Sequence, residues 1–180
     1  AIAAGRLAPV KRLDLALRAF DLVLRKRQED GKSVPHLYLA GDGSEGAFLR
    51  ELAGQLGLQR HVEFLGFRSD AALLIAEAQV LLISSDSEGI PTVLLEAMGA
   101  GTPIASTDVG GIRDVLSTVP GYPAALAGKG DYVQLAHALD EMLECLVSPE
   151  QKAVLRAAFE VQFSPATAAR RLDAVYRAVL

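Results

Sequence analysis

The sequence predicts an α/β fold: one doubly wound parallel sheet with helices on both faces, closed by a helical carboxyl-terminal tail. Three observations carry that expectation. Short apolar runs alternate with longer stretches of helical period up to Gly130, the pattern of βα units around a parallel sheet. From Asp131 onward the pattern is helical throughout. Apolar residues make up 51% and charged residues 22% of the 180 residues, a balance that supports one domain over 1–180. At this length folding buries roughly 70% of the surface, so a sizeable core is available.

The elements follow in order. Ala1 to Ala4 reads as the end of a first strand. Leu13, Ala16, Leu17, Phe20, Leu24 and Arg27 recur at helical spacing, giving a helix that ends in the polar Gln28-Glu29-Asp30-Gly31-Lys32 turn. His36 to Ala40 is a buried-type strand. Phe48, Leu49, Leu52 and Leu56 mark the next helix, stopped at Gly57, and Val62 to Gly66 the next strand. Ala71 to Ala78 is helical, and Val80-Leu81-Leu82-Ile83 is the most strand-like run in the chain. A helix with proline at its first position is expected over Pro91 to Gly99, then a short strand over Pro103 to Ser106. Gly110-Gly111 opens another short helix, and Ser117 to Gly130 is loop-like with a last strand around Ala124 to Leu126. Three helices complete the chain, over Asp131 to Leu146, Pro149 to Gln162 and Pro165 to Leu180. The last carries an apolar stripe of Leu172, Val175, Tyr176 and Val179. Such a Rossmann-like sheet binds ligands outside the carboxyl ends of its strands.

Charge and composition exclude several classes. Lys plus Arg number 18 against 22 Asp plus Glu, a net charge of −4, so no broad cationic field attracts nucleic acid or anionic lipid. An anion must be gripped locally. The single cysteine, Cys145, excludes an internal disulfide framework and a Cys-rich zinc site, and its neighbours Met142, Leu143 and Leu146 make it a core residue. His36, His61 and His137 form no metal pair, and no Asp-x-Asp occurs, so no metal is expected. No apolar run approaches the ~20 residues of a membrane span and no signal segment opens the chain, which predicts a cytoplasmic location. Ala1-Ile2-Ala3-Ala4, without an initiator Met and directly before a motif, is the opening expected of a piece of something longer.

Between Glu88 and Asp108 the only ionisable side chain is Glu96, on a helix otherwise made of Val93, Leu94, Leu95, Ala97, Met98 and Ala100. A helix apolar all round is a buried helix, where a carboxylate is costly unless paired. Two readings stand side by side. Glu96 meets an internal arginine or backbone amides, or it serves a ligand. The second starts from Pro91, which sets the helix start and leaves the amides of Thr92, Val93 and Leu94 without intrahelical acceptors, an anion site. Glu96 lies five residues inward, roughly 7.5 Å along the axis, within reach of hydroxyls attached to that anion. Glu88 stands on the loop before the helix, so the two carboxylates bracket the phosphate position.

Gly5-Arg6-Leu7 with Lys11, at a strand end and helix start, is a second signal. Two cations beside a glycine turn suit a diphosphate, although Arg6, Lys11 and Arg12 read equally as solvated surface charges. Gly41-Asp42-Gly43-Ser44-Glu45-Gly46 satisfies the dinucleotide pattern G-x-G-x-x-G. The acid expected ~20 residues on is missing, because the next strand tip is Leu65-Gly66-Phe67, and Asp42 and Glu45 put negative charge where a pyrophosphate belongs. Its glycines are expected to serve a turn that a ligand or a second domain approaches closely.

Ser87-Glu88-Gly89-Ile90-Pro91-Thr92-Val93-Leu94-Leu95-Glu96-Ala97-Met98, followed by Gly101-Thr102-Pro103-Ile104 and Val109-Gly110-Gly111-Ile112, resembles the E-x7-E signature of retaining GT-B glycosyltransferases of family 4, the group 1 transferases. Gly5-Arg6-Leu7 with Lys11, Gly41-Asp42-Gly43 and Phe64-Leu65-Gly66 are similar to other landmarks of that family, in order. The resemblance covers the carboxyl-terminal, donor-binding half of such an enzyme. It implies that Arg6 and Lys11 neutralise the diphosphate of a UDP-, GDP- or ADP-linked sugar, with Gly5 at the turn and backbone amides around Gly89, Ile90, Pro91 and Thr92 joining them. Glu88 would hold hydroxyls of a transferred hexose-type sugar and Glu96 the ribose hydroxyls. Arg6, Lys11 and Glu88 would form the catalytic set, with neither metal nor cofactor. The implied partners are the nucleotide-sugar and an amino-terminal acceptor domain of the same polypeptide, through which any peripheral membrane contact would be made. This fragment alone is expected to be inactive. Arg12 stands where a glycine commonly follows the lysine, Asp114 where glutamate is usual, and Ser117 to Gly130 matches the family loop poorly. The competing readings are a nicotinamide-binding domain of an oxidoreductase using Gly41 to Gly46, and a non-catalytic nucleotide-binding module.

Overall fold

The structure, a computed structural model, describes residues 1–179. Six strands form one parallel sheet: β1 (Ile2–Ala4), β2 (Leu37–Ala40), β3 (Val62–Gly66), β4 (Leu81–Ile83), β5 (Ile104–Thr107) and β6 (Ala124–Ala127), in the order β3-β2-β1-β4-β5-β6. Eight helices accompany them: α1 (Leu13–Glu29), α2 (Gly46–Gln55), α3 (Ala71–Glu77), α4 (Thr92–Ala100), α5 (Ile112–Ser117), α6 (Tyr132–Glu144), α7 (Pro149–Phe163) and α8 (Pro165–Val179). The expected doubly wound sheet with a helical tail is what forms.

Strand side chains alternate between the two faces, and the core divides accordingly. Ala3, Leu39, Leu82 and Ala105 join Phe20, Leu17 and Leu139 in a cluster under α1, α2 and α6. Ile2, Leu81, Ile83 and Ile104 join Ile75, Leu94 and Met98 in a second cluster under α3, α4 and α5. On the first face α1 is bound to α6 by ions as well as by apolar packing. Arg27, whose side chain is 5% exposed, donates to Asp140 at 2.7 Å and Glu144 at 2.9 Å, and Lys26 reaches Asp140 at 2.8 Å. On the second face Tyr122 reaches under α4, its hydroxyl within hydrogen-bond distance of the carbonyls of Ala97 (2.9 Å) and Thr102 (2.7 Å). Burial raises the Tyr122 pKa above its ordinary value, so the hydroxyl stays a donor.

Several boundaries differ from expectation. Pro91 is the residue before α4 rather than its first: with φ −65° and ψ 130° it is extended, which places Thr92 at the helix start. Helix α6 ends at Glu144, not Leu146, because Cys145 turns extended (ψ 100°) and Leu146 is 85% exposed ahead of the Ser148–Gln151 capping box of α7. Cys145 itself is half-buried at the edge of the first cluster rather than inside it. Leu172, Val175 and Tyr176 of the α8 stripe are exposed; the Val179 side chain and Leu180 lie outside the described residues. Among the described residues no helix is long and apolar enough to cross a membrane.

Candidate functional site

In this strand order the chain winds outward from β1 through β2 to β3 and returns to place β4 on the other side of β1. The winding reverses between β1 and β4, and the crevice at their carboxyl ends is the topological switch point. The segments leaving those two strands carry the residues singled out above. Gly5, Arg6, Lys11, Ser84, Ser85 and Glu88 line one cavity there. Its volume of about 20 Å³ holds about one water rather than a nucleotide.

Structure brings Lys11 and Glu88 together more closely than sequence reasoning placed them. Lys11 Nζ donates to Glu88 Oε1 at 2.6 Å, and Ser85 Oγ donates to the same oxygen at 2.6 Å. Glu88 is therefore anchored through one oxygen, while Oε2 takes no hydrogen bond among the described residues. A lysine ammonium has three donors, so Lys11 can hold Glu88 and still offer charge to a phosphate. Arg6 is exposed, and among the described residues its side chain has no hydrogen-bond or ion-pair partner. Thus Arg6 is the cation available from the start and Lys11 the one already half-engaged.

Backbone and hydroxyl contacts explain how two loops 77 residues apart meet. The Asp86 amide donates to the Val10 carbonyl at 2.9 Å, and Ser84 Oγ to the Lys11 carbonyl at 2.8 Å. Thr107 Oγ1, fully buried on β5, donates to the Ser85 carbonyl at 2.7 Å. On the other side the Gly111 amide donates to the Gly89 carbonyl at 2.9 Å, and a Cβ at Gly110 (φ 57°) would overlap the Glu88 carbonyl oxygen. Gly110 thus seats the Glu88 loop. Sequence reasoning gave Ser84, Ser85, Thr107 and Gly110 no part in the site. The available signal was the polar Ser84-Ser85-Asp86 run directly after the most apolar strand.

Arg12 is the one non-glycine residue with positive φ among the described residues (φ 46°, ψ 44°). Left-handed backbone costs a residue with a Cβ roughly 1–2 kcal/mol, which is the physical reason a glycine fits there. Here the side chain offsets that cost. Its Nε and one terminal nitrogen chelate Asp14 at 3.0 and 3.1 Å, and the other terminal nitrogen reaches both oxygens of Asp86 at 3.1 and 3.3 Å. Hydrogen bonds donated to Asp14 first, and to Asp86 second, hold the guanidinium pKa above its usual range. Arg12 is a tied-down ion, not the solvated surface charge expected from the sequence.

The start of α4 is narrower as an anion site than expected. The Leu94 amide donates to the Pro91 carbonyl at 3.1 Å, so Thr92 and Val93 are the two open amides. No side chain caps this end. Gly89, Ile90 and Thr92 are exposed at its approach, with Pro91 buried behind them. Glu96 is half-buried, and among the described residues it has neither an ion-pair nor a hydrogen-bond partner. Helix α4 buries Leu94, Ala97 and Met98 and leaves the Glu96 side partly open, so the internal-arginine reading of Glu96 is not what the structure holds.

The Gly41 to Gly46 loop serves the chain itself. A Cβ at Gly41 would overlap the Gly5 carbonyl oxygen, and one at Gly43 would overlap that of Leu7. Among the described residues, what approaches these glycines is the Gly5–Leu7 segment. The Gly43 amide also donates to Asp42 Oδ1 at 2.7 Å, so it is not offered to a pyrophosphate. Among the described residues no three His, Cys, Asp or Glu side chains cluster as metal ligands.

A parallel sheet in this order, with cations and an anchored carboxylate gathered at its switch point, defines a Rossmann-type domain. More narrowly, the chain belongs to the glycosyl transferases group 1, whose family model matches residues 1–158. It is 32% identical over 158 residues to D-inositol 3-phosphate glycosyltransferase of Mycobacterium tuberculosis, covering 86% of this chain and 31% of that protein. It is 36% identical over 107 residues to N-acetyl-alpha-D-glucosaminyl L-malate synthase of Bacillus anthracis, covering 59% of this chain and 26% of that one. Among solved structures, HepE of Anabaena in complex with UDP superposes with a TM-score of 0.79 at 22% identity, over 98% of this chain and 48% of HepE, a likeness of fold. The chain spans about a fifth to two fifths of the length of the curated relatives it matches.

Proposed function

We infer that this chain is the donor-binding half of a retaining glycosyltransferase, which moves a hexose-type sugar from a nucleoside diphosphate to an acceptor held by an amino-terminal domain. The observation that carries the reading is the meeting of Arg6, Lys11 and Glu88 in one cavity at the β1–β4 switch point. Arg6 grips phosphate oxygens as a fork and Lys11 adds a point charge. The open amides of Thr92 and Val93 extend the anion site at the positive end of α4. Together they stabilise the charge that develops on the departing diphosphate, so no metal is required. Glu88, anchored through Oε1, offers Oε2 to sugar hydroxyls, and half-buried Glu96 takes the ribose hydroxyls. Two facts support this over a nicotinamide site: family membership, and a glycine loop at Gly41–Gly43 that packs on its own chain.

Calorimetry with UDP, GDP, ADP and NAD tests the reading. A nucleoside diphosphate should bind, and EDTA should change its affinity by less than about tenfold, or 1.4 kcal/mol. Binding of NAD with no response to any of the three diphosphates would overturn it.

A further inference from the structure

We propose that Arg12 is a positioning residue for the sugar-holding carboxylate, acting through Asp86 to set where Glu88 stands; this rests on the donor-binding reading above. Arg12 belongs to the turn that carries Lys11, and Asp86 to the loop that carries Glu88. One guanidinium therefore joins the two segments that bring Lys11 and Glu88 to the cavity, without lining the cavity itself. Its chelation by Asp14 uses Nε and one terminal nitrogen and fixes the plane of the group, so the remaining nitrogen reaches Asp86 at 3.1 Å. Asp86 lies two residues before Glu88, and the next anchor on that loop is the Gly89 carbonyl, held from the opposite side by Gly111. Glu88 thus sits on a short span tied at both ends, by Arg12 on the Asp86 side chain and the Val10 carbonyl on its amide at one, and by Gly111 at the other. The left-handed backbone at Arg12 is what the arrangement requires of the chain, since glycine would relieve the strain but supply no strut.

The strut acts on one segment more than on the other. Lys11 keeps its own tie through Ser84 Oγ, whereas the only side chain holding Asp86 among the described residues is Arg12. Loss of Arg12 should therefore disturb a ligand that needs Glu88 and spare one that needs only the cations. Lysine cannot substitute, because a single ammonium cannot chelate Asp14 and reach Asp86 in a fixed plane.

The test measures affinity for UDP, GDP and ADP, and for UDP-glucose, GDP-mannose and ADP-glucose, on the wild-type chain, Arg12→Gly, Arg12→Lys and Asp86→Asn, with melting temperature and amide hydrogen exchange over residues 84–90. All three variants should weaken the nucleotide-sugar about tenfold (1.4 kcal/mol), leave the matching diphosphate within about twofold, and speed exchange in the loop. The double variant Arg12→Gly/Asp86→Asn should be no worse than either single one, as expected of partners in one contact. Arg12→Gly should also melt within about 3 °C of the wild type, because strain relief offsets the lost ion pairs. Equal losses for sugar and diphosphate ligands would reduce Arg12 to a structural role and overturn the proposal. So would an unchanged nucleotide-sugar affinity in Arg12→Gly or, should that variant not fold, in Asp86→Asn. A wild-type chain that binds none of the six overturns the donor reading first and this role with it.

Discussion

Glu88 and Glu96 stand eight residues apart in sequence and are not equivalent at the level of single side chains. Glu88 is 10% exposed and tied through one oxygen to Lys11 and Ser85, whereas Glu96 is half-buried with no partner of its own. Replacing Glu96 with Gln should weaken a nucleoside diphosphate and its sugar ester alike, by about 1.5–3 kcal/mol for lost charge-assisted hydrogen bonds. Its melting temperature should barely move, because no internal ion pair is broken. Glu88→Gln should weaken the sugar ester and spare the diphosphate, while lowering the melting temperature by breaking the Lys11 contact. Measuring both affinities and both melting curves decides the assignment. An unchanged diphosphate affinity in folded Glu96→Gln would remove Glu96 from the ribose. That both carboxylates matter was legible in the sequence, because the Glu88–Asp108 stretch holds no other charge than Glu96. The Lys11–Glu88 contact was not legible: it spans 77 residues, and no local pattern reports which strand ends become neighbours.

Among the elements, α1 and α6 show how a surface-looking charge pattern becomes a structural joint. Arg27 occupies a core-facing position of the α1 stripe, and its buried guanidinium has Asp140 and Glu144 as partners. Burial works to raise the Asp140 pKa, but hydrogen bonds from Lys26 and Arg27 together outweigh it and hold the carboxyl below its ordinary value of 3.8. A carboxylate with a lowered folded-state pKa contributes stability that is fully present above its unfolded value and is lost as pH falls through the folded one. Asp140→Asn should therefore cost about 3 kcal/mol near neutrality, the lower end for breaking a buried pair, since Glu144 still reaches Arg27. The gap between the two melting curves should stay constant from pH 7 to about pH 5 and narrow below about pH 4. A gap as wide at pH 3 as at pH 7 would show that Asp140 is not titrating as assigned. At the end of α4, Tyr122→Phe should destabilise by about 1–2 kcal/mol, as one or both of the Ala97 and Thr102 carbonyls lose a donor in a buried setting. Chemical denaturation with unchanged slope would register it, and no loss of stability would mean those carbonyls are satisfied elsewhere. Helices α1 to α8 were each anticipated from apolar spacing and glycine or proline punctuation. Errors fell at ends such as Pro91 and Cys145, where a φ, ψ pair rather than residue type decides whether a residue is helical.

For the molecule as a whole, the proposed division of labour predicts that sugar transfer needs more than this chain. The cations and carboxylates proposed to meet the donor lie within it, and in the same proposal the acceptor is held against the anomeric carbon by other groups. Donor binding without turnover is the expected behaviour of the chain by itself, with turnover restored when the amino-terminal domain is supplied. Steady transfer by the 180 residues alone would refute that division. The amino-acid order by itself determined the βα alternation, the helical tail and the motif that identifies the group 1 family, because each is written in residue spacing within about twenty positions. Tertiary structure alone decided that Arg6, Lys11 and Glu88 line one cavity. It also decided that the Gly41–Gly43 turn receives the chain's own Gly5–Leu7 segment, and that a left-handed Arg12 bridges two loops to Asp86. The physical reason is the strand order. Placing β4 beside β1 rather than beside β3 is a property of the whole sheet, and that placement makes residues near position 10 and residues near position 88 into neighbours.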